Sequence, residues 1–225
     1  MKNSGRKIGF IICLVSWGLS FSIYGLAQSQ SDSIYDAEYD NMIKSLRNGQ
    51  YEDAEVILKN LIEITLNDPQ PNQTRLAILY GNLGIVYRNT FRFDEAHICY
   101  NKTFDIYSIT DPESINMARA CINLSIIFES QNEYNKALRF LKKAQIIIEN
   151  YYSENHDVLS SILGRIAHIY ALQNSKDEAV EHIDRALGLG FNSVYSENFF
   201  YKKAIESFTI LENDSLVNVF NRKRI

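Results

Sequence analysis

A skeleton of residues recurs four times along the chain at a nearly constant interval. Its clearest copy, LYGNLGIVYRNTFRFDEA, runs from Leu79 to Ala96 and contains a Leu-Gly pair, a tyrosine, a short polar break, an aromatic residue and a final alanine. Related copies end at Ala54, Ala137 and Ala179, so the four alanines follow one another at intervals of 42, 41 and 42 residues. Self-similarity at a fixed period of this length predicts a stacked repeat array.

Each copy predicts two helices, because apolar residues fall at helical spacing both before and after the polar break. In the third copy Cys121, Leu124 and Phe128 mark the first helix, and Ala137 and Leu141 mark the second. Small residues stand where the helices of a hairpin must approach: Gly84, Ser125 and Ala167 on first helices, and Ala54, Ala96, Ala137 and Ala179 on second helices. An aromatic residue three positions before the alanine is expected to wedge into the hairpin. One such hairpin cannot bury its apolar face alone, so its neighbours must stack on it.

The Leu-Gly, Tyr and Ala residues resemble the tetratricopeptide repeat (TPR) over residues 35–189. A standard unit has about 34 residues, and the longer units of this chain are similar to the repeats of kinesin light chain. The resemblance implies an all-α fold, a right-handed α-solenoid of helix-turn-helix hairpins. Asn41-Met42 replaces Leu-Gly in the first copy and Lys176 replaces the aromatic residue in the fourth, which we interpret as features of terminal repeats.

Residues 1–27 have the pattern of a secretory signal peptide. Three basic residues precede an apolar run from Ile8 to Leu19, and Ala27 ends a small-residue cleavage motif. The alternative is an uncleaved membrane anchor, but the run is shorter than the ~20 residues that a spanning helix needs. We therefore expect cleavage near Ala27 and an exported protein, either periplasmic or secreted.

The rest of the chain divides at its turn signals. We predict a flexible lead-in over residues 28–34, four repeats over 35–192, and a degenerate fifth repeat or capping helices over 193–225. Asp111, before Pro112, is a predicted helix N-cap, and Gly188 and Gly190 predict a helix end. A short last helix is expected to begin at Asp214.

A repeat array followed by this last helix resembles the periplasmic sensor regions of TPR-bearing histidine kinases and transcription regulators of Bacteroides-type bacteria. That resemblance implies a second function, a sensor or input module whose partner is a membrane signalling protein. It also leaves open that the chain is a shortened relative of such a sensor. The sequence does not distinguish oligomeric states.

The residue patterns that catalytic and metal sites require are missing. Four histidines (His97, His156, His168 and His182) show no metal-ligand spacing, and there is no phosphate-binding loop or nucleophile elbow. The formal net charge of −4 argues against sequence-independent binding of nucleic acid, which needs basic patches. We expect no enzyme, no cofactor, no metal and no nucleic-acid partner.

Two cysteines, Cys99 and Cys121, follow the leader, and they fall on adjacent predicted helices. Either they form a disulfide, as an oxidising compartment allows, or they are small buried apolar residues.

The TPR resemblance leaves binding surface as the function to explain, since the first helix of each hairpin lines a concave groove in such arrays. Asn82 and Asn123 occupy equivalent places, where peptide-binding TPR proteins use an asparagine to hold the main chain of an extended peptide. The candidate groove residues are Asn82, Asn123, Arg119, Arg165, Ile85, Ile126, Arg88 and His168. The predicted ligand is a protein or peptide, whose carboxylates Arg119 and Arg165 could bind.

A structural alternative stays open for these groove residues. Each asparagine could instead tie neighbouring repeats together, and each arginine could pair with an acid such as Glu129. The sequence thus predicts an exported, non-catalytic scaffold that binds a protein or peptide in its groove.

Overall fold

The computed structural model describes residues 35–152, 154 and 156–223, and this part of the chain is helical without any strand. The predicted signal peptide, its cleavage site near Ala27 and the lead-in lie outside the described residues. None of the described helices combines the length and the apolarity needed to cross a membrane.

Ten helices run through the described residues in chain order. The first, α1, spans residues 35–47. The others are α2 (Tyr51–Leu66), α3 (Gln73–Asn89), α4 (Phe93–Thr110), α5 (Ile115–Ser130), α6 (Tyr134–Tyr151), α7 (His156–Leu172), α8 (Lys176–Leu189), α9 (Val194–Ile210) and α10 (Asp214–Lys223).

The chain falls into two compact units, one that ends at Ile64 and one that begins at Thr65. In the first unit, Met42 on α1 and Ala54, Leu58 and Leu61 on α2 are fully buried. The buried Ala54 is the small residue that the repeat pattern places on the second helix.

The second unit is a stack of helical hairpins, in which α3 pairs with α4, α5 with α6, α7 with α8 and α9 with α10. Neighbouring hairpins are joined first by α4 against α5 and then by α6 against α7. The last junction differs, because α9 packs extensively on α7, the first helix of the preceding hairpin. The predicted all-α solenoid of hairpins is confirmed.

Small residues bring the two helices of a hairpin together, as the repeat pattern predicts. A Cβ atom on Gly84 would lie 2.4 Å from Cε1 of Tyr100, so the tyrosine ring of α4 rests on the bare backbone of α3. Ser125 and Ala167 are fully buried on α5 and α7. The alanines of the second helices (Ala54, Ala96, Ala137 and Ala179) are also fully buried. The aromatic residues three positions before the alanines are only half-buried, at the mouth of the hairpin.

All five turns within hairpins have the same geometry. Each places one residue at positive φ: Gly49, Phe91, Asn132, Asn174 and Glu212. In each turn the next residue donates its N–H to a carbonyl five positions back, as Gln50 does to Ser45 and Asn213 does to Phe208. A helix end with this hydrogen bond and a residue at positive φ is a Schellman motif. The turn between α9 and α10 therefore follows the same local geometry as the four before it.

The observed ends of the helices agree only in part with those predicted from the sequence. Gly190, at φ 73°, closes α8 as predicted, whereas Gly188 lies within the last turn of that helix. The last helix begins at Asp214. The prediction that Asp111 caps α5 is wrong, because Asp111 is the C-cap of α4. Ser114 caps α5 instead, with its hydroxyl accepting a hydrogen bond from the Met117 N–H at 3.1 Å. Pro112 and Glu113 take up the turn between the two helices, so the cap falls three residues later.

Cys99 and Cys121 are both buried, with no disulfide between them. Burial raises the pKa of the Cys121 thiol to about 12. They pack as small apolar residues, the second of the two alternatives that the sequence allows.

Candidate binding face

The first helices α3 and α5 each present a row of partly exposed residues between their buried ones. We call this the α3/α5 face, and it comprises Asn82, Ile85 and Arg88 on α3 and Arg119, Asn123 and Ile126 on α5. Arg119 is exposed and the other five are half-buried. These are six of the eight candidate groove residues. The repeat register places them, because one helical turn separates successive members on each helix.

The amides of Asn82 and Asn123 make no hydrogen bond to any residue in the part of the chain that the structure describes. An asparagine that tied two repeats together would donate to or accept from its neighbours. The described residues thus contain no hydrogen bond of the kind that the structural alternative requires for these two side chains. Both side chains are half-buried.

Apolar and cationic side chains flank the two amides. Ile85 and Ile126 follow Asn82 and Asn123 by three residues and are half-buried. Arg88 lies close enough to Tyr100 to act on its ionisation: burial raises the pKa of the Tyr100 hydroxyl to about 12, and the arginine charge works against that rise. Arg119 has no carboxylate partner among the described residues, so its guanidinium is available to an anionic group.

The remaining two candidates, Arg165 and His168 on α7, lie in a different environment. They belong to a charged cluster, which we define as Glu129, Arg165, His168, Lys203 and Glu206. The side chain of Arg165 is 15% exposed, with Nη1 3.9 Å from Oε2 of Glu129. Its guanidinium carbon lies 5.0 Å from the centre of the Phe199 ring on α9. The pairing of Arg165 with Glu129 is the structural alternative that the sequence leaves open for this arginine.

Glu129 is the centre of the charged cluster. Its Oε1 lies 3.6 Å from Nε2 of His168 and 3.8 Å from Nζ of Lys203. Lys203 also donates to Oε2 of Glu206 at 2.8 Å. The cluster therefore links α5, α7 and α9 through partly buried charges.

The environment of His168 disfavours the charged form of its imidazole. Burial lowers the pKa of the imidazole, and the charge of Lys203 lowers it further, against the opposing pull of Glu129. Nδ1 of His168 is buried and has no hydrogen-bond partner among the described residues. For Glu206, burial acts to raise the pKa, but the hydrogen bond and charge of Lys203 outweigh it and hold that pKa below its ordinary value.

The contribution of α9 to this site is not among the sequence-based predictions. Lys203 and Glu206 lie after residue 192, where the repeat pattern weakens. The signal that could have identified them is the helical spacing of Phe200, Ala204 and Phe208, which are buried. That spacing places Lys203 beside the buried face of α9.

The described residues contain no group of three or more histidine, cysteine or acidic side chains that could hold a metal ion.

Comparison with known families finds one match along the sequence. The model of the tetratricopeptide repeat family matches residues 42–109 and 113–189, which is well over half of the chain. No curated protein sequence matches significantly.

Solved structures with the same fold include helical repeat proteins of low sequence identity. BtubC (BKLC) from P. vanneervenii is 16% identical, with a TM-score of 0.69 over 81% of this chain and 75% of that one. A putative kinesin light chain with nearly identical TPR-like repeats from Podosopora anserina is 14% identical, with a TM-score of 0.66 over 84% of this chain and 95% of that one. RapI in its apo form is 14% identical, with a TM-score of 0.68 over 84% and 68%. The predicted similarity to kinesin-light-chain repeats is confirmed.

Proposed function

This chain belongs to the tetratricopeptide repeat family, and from that premise we propose that it is an exported, non-catalytic scaffold that binds a protein or peptide on its α3/α5 face. Repeats of this family typically mediate protein–protein interaction, and the fold is generally a non-catalytic one. The observation that carries the proposal is the pair of amides, Asn82 and Asn123. They recur at one repeat position, are half-buried, and have no hydrogen-bond partner among the described residues.

An extended peptide matches the chemistry of this face. Its main chain offers one N–H and one carbonyl per residue, and a side-chain amide can both donate and accept. The amides of Asn82 and Asn123, on neighbouring repeats, could therefore bind main-chain groups at two places along one extended peptide. Ile85 and Ile126 would contact its apolar side chains, and Arg119 would pair with a carboxylate.

The test is a pull-down from a periplasmic extract of cells that express the chain with its own leader and a C-terminal affinity tag. The bait is the unchanged chain or the double variant Asn82→Ala/Asn123→Ala. A matched control is Asn101→Ala/Asn150→Ala, which removes two amides from α4 and α6. Circular dichroism of each bait checks that the array stays helical.

We expect a partner that the unchanged chain and the α4/α6 control retain and that the α3/α5 variant loses. A partner retained equally by all three baits would contradict the proposed site. If the same baits capture a membrane histidine kinase or transcription regulator from detergent-solubilised membranes of these cells, the scaffold acts as a sensor or input module.

Export rests on residues 1–27 of the sequence. We propose that the leader is cleaved near Ala27, which predicts a purified chain whose N-terminus is close to Gln28. Intact-mass spectrometry of the tagged protein from the periplasmic extract measures this directly. A chain that retains Met1 and fractionates with membranes would contradict cleavage and favour the uncleaved anchor.

A further inference from the structure

A second surface feature lies on α4 and α6, the second helices of adjacent hairpins. It is a pocket of about 350 Å³, which we call the basic-aromatic pocket, and its lining residues are Phe104, Lys136, Arg139, Phe140 and Lys143. The α3/α5 face lies on first helices, so the two surfaces share no residue. The pocket is therefore unexplained by the proposed function.

Two aromatic rings, Phe104 and Phe140, line the pocket and belong to a longer chain of rings in contact. Phe104 meets Phe140 edge to face at 5.5 Å between ring centres, and Phe140 stacks on Phe128 at 5.5 Å and 10°. Phe128 in turn meets the ring of His97 at 5.2 Å. These are favourable separations for aromatic pairs, and Phe128 is buried. The rings hold one another in place, so this lining of the pocket is formed before any ligand arrives.

The rim of the pocket is cationic. Lys136, Arg139 and Lys143 follow one another on one side of α6 at helical spacing. They extend over roughly 10 Å of the helix axis at about 1.5 Å per residue. Lys136 pairs with Glu133, whereas Arg139 and Lys143 have no carboxylate partner in the described part of the chain. Nζ of Lys143 lies 4.8 Å from the centre of the Phe104 ring. Two cations without carboxylate partners among the described residues therefore lie beside the apolar rings.

We propose that the basic-aromatic pocket binds an acidic peptide segment that inserts one apolar side chain against Phe104 and Phe140. Carboxylates on either side of that side chain would pair with Arg139 and Lys143. Such pairing is favoured because it breaks no existing ion pair of Arg139 or Lys143 among the described residues.

The geometry favours a peptide over a phosphate-bearing ligand. Phe104, Arg139, Phe140 and Lys143 lie in the interior of helices, where backbone N–H groups are taken by the helix itself and cannot cradle a phosphate. The volume lies at the low end of the ~300–1,000 Å³ of small-molecule sites, so it suits one side chain. Nucleic acid would need a longer basic surface than one side of one helix.

The experiment is fluorescence anisotropy at about 0.15 M salt, where charges more than about 8 Å apart are largely screened. The probe is a fluorescein-labelled peptide of sequence Glu-Asp-Phe-Asp-Glu, titrated with the tagged chain purified from the periplasmic extract. Lys143→Glu is the test variant, and Lys142→Glu is its matched control. The two lysines are adjacent and exposed, but Nζ of Lys142 points to the ring of Tyr170, 5.8 Å away, and does not line the pocket.

We expect saturable binding to the unchanged chain, a loss of about tenfold or more in affinity for Lys143→Glu, and a change of less than about twofold for Lys142→Glu. Replacing the peptide's phenylalanine with alanine should weaken binding, and a Lys-Lys-Phe-Lys-Lys peptide should not bind. Asn82→Ala/Asn123→Ala should bind the probe normally, so this proposal and the proposed function can fail separately.

Three results would overturn the proposal. One is the absence of saturable binding to the unchanged chain, and another is an equal loss in both lysine variants. The third is binding of ATP to the same pocket, sensitive to Lys143→Glu, by a chain that ignores the acidic peptide. If circular dichroism shows that Lys143→Glu is misfolded, Arg139→Glu, also exposed, replaces it with the same expected loss.

Discussion

The first helices α3 and α5 differ from α7 in what packs on them. Among the described residues, α7 has α9 packed on it, and no helix packs on α3 or α5 in this way. His168 is buried, whereas Ile85 and Ile126 at its register are half-buried, and Arg165 is half-buried like Asn82 and Asn123 at its own register. The difference comes from α9, which packs on α7 and brings Phe199 and Lys203 over it. A repeat pattern thus identifies which residues face the groove, but the neighbouring hairpin decides whether a ligand can contact them.

The largest expected effect comes from removing the side chain that seats α9 on α7. Phe200 is fully buried and contacts Gly164 of α7. Phe200→Ala should lower the free energy of unfolding by about 3–5 kcal/mol, since it leaves a cavity where a large ring packed. Urea denaturation measures the loss. Hydrogen exchange should show α7 losing protection while α3 keeps it, because a repeat contacts mainly its neighbours. An equal loss of protection in α3 would contradict this local coupling.

A smaller effect is expected from the charged cluster that closes the α7 region. Glu129→Gln removes the carboxylate that faces Arg165, His168 and Lys203, so two cations remain near each other with little compensation. We expect a loss of roughly 1–3 kcal/mol, below the 3–5 of a fully buried pair, because these side chains retain 15–18% exposure. The control Glu133→Gln, in an exposed pair with Lys136, should cost about 0.5 kcal/mol or less. Chemical denaturation measures the free energy of unfolding of both variants. If both lose the same amount, the charged cluster contributes no more than an exposed ion pair.

The buried histidine of this cluster predicts a pH dependence. Its pKa is lower in the folded chain than in the unfolded chain, so the unfolded chain binds more protons as the pH falls. Stability from this group is therefore complete above the unfolded pKa of about 6.5 and declines as the pH falls toward the folded pKa. Denaturation midpoints measured between pH 7.5 and about 5.5 should show a shallower slope for His168→Gln than for the unchanged chain. His182→Gln is the control, and an unchanged slope in His168→Gln would refute the assignment.

The smallest effect is expected from alanine substitution of two glycines at equivalent repeat positions. Gly81 on α3 and Gly164 on α7 occupy equivalent repeat positions, but a Cβ atom would lie 3.6 Å from Thr103 at the first and 3.3 Å from Phe200 at the second. Gly81→Ala should stabilise the chain by about 0.5–1 kcal/mol, as alanine does in helices. Gly164→Ala should gain less or lose stability, since Phe200 must shift. Thermal denaturation of both variants measures the difference, and an equal gain would show that α9 is loosely packed on α7.

Much of the fold could be predicted because it depends on local spacing. The repeat period fixed the hairpins, Gly84 and the alanines marked the close approaches, and Gly190 marked the end of α8. The position of α9 could not be predicted, because it depends on contacts between distant residues such as Glu129 and Lys203. The cap of α5 was misplaced for a local reason: Asp111 and Ser114 both have capping side chains, and only the turn at Pro112 decides between them.

The candidate site, like the fold, could be predicted only in part. The register of Asn82 and Asn123 follows from the sequence, but the absence of hydrogen-bond partners for their amides among the described residues required the structure. Arg165 and His168 have the predicted register, but no local pattern indicates that α9 packs on their helix. The basic-aromatic pocket was not anticipated, since Phe104 and Phe140 belong to different repeats and meet only after stacking.

The most direct test of the open and covered regions is photocrosslinking in cells at two positions of equal register. Benzoylphenylalanine at position 130 would replace Ser130, which is exposed on α5, and at position 172 would replace Leu172, half-buried on α7. A third site at Ile109, which is 84% exposed on α4, reports contacts outside the face. The account predicts a crosslinked partner at position 130 that is absent at 172 and 109 and is lost in the Asn82→Ala/Asn123→Ala background. A partner captured at 172 or 109 but not at 130 would contradict it.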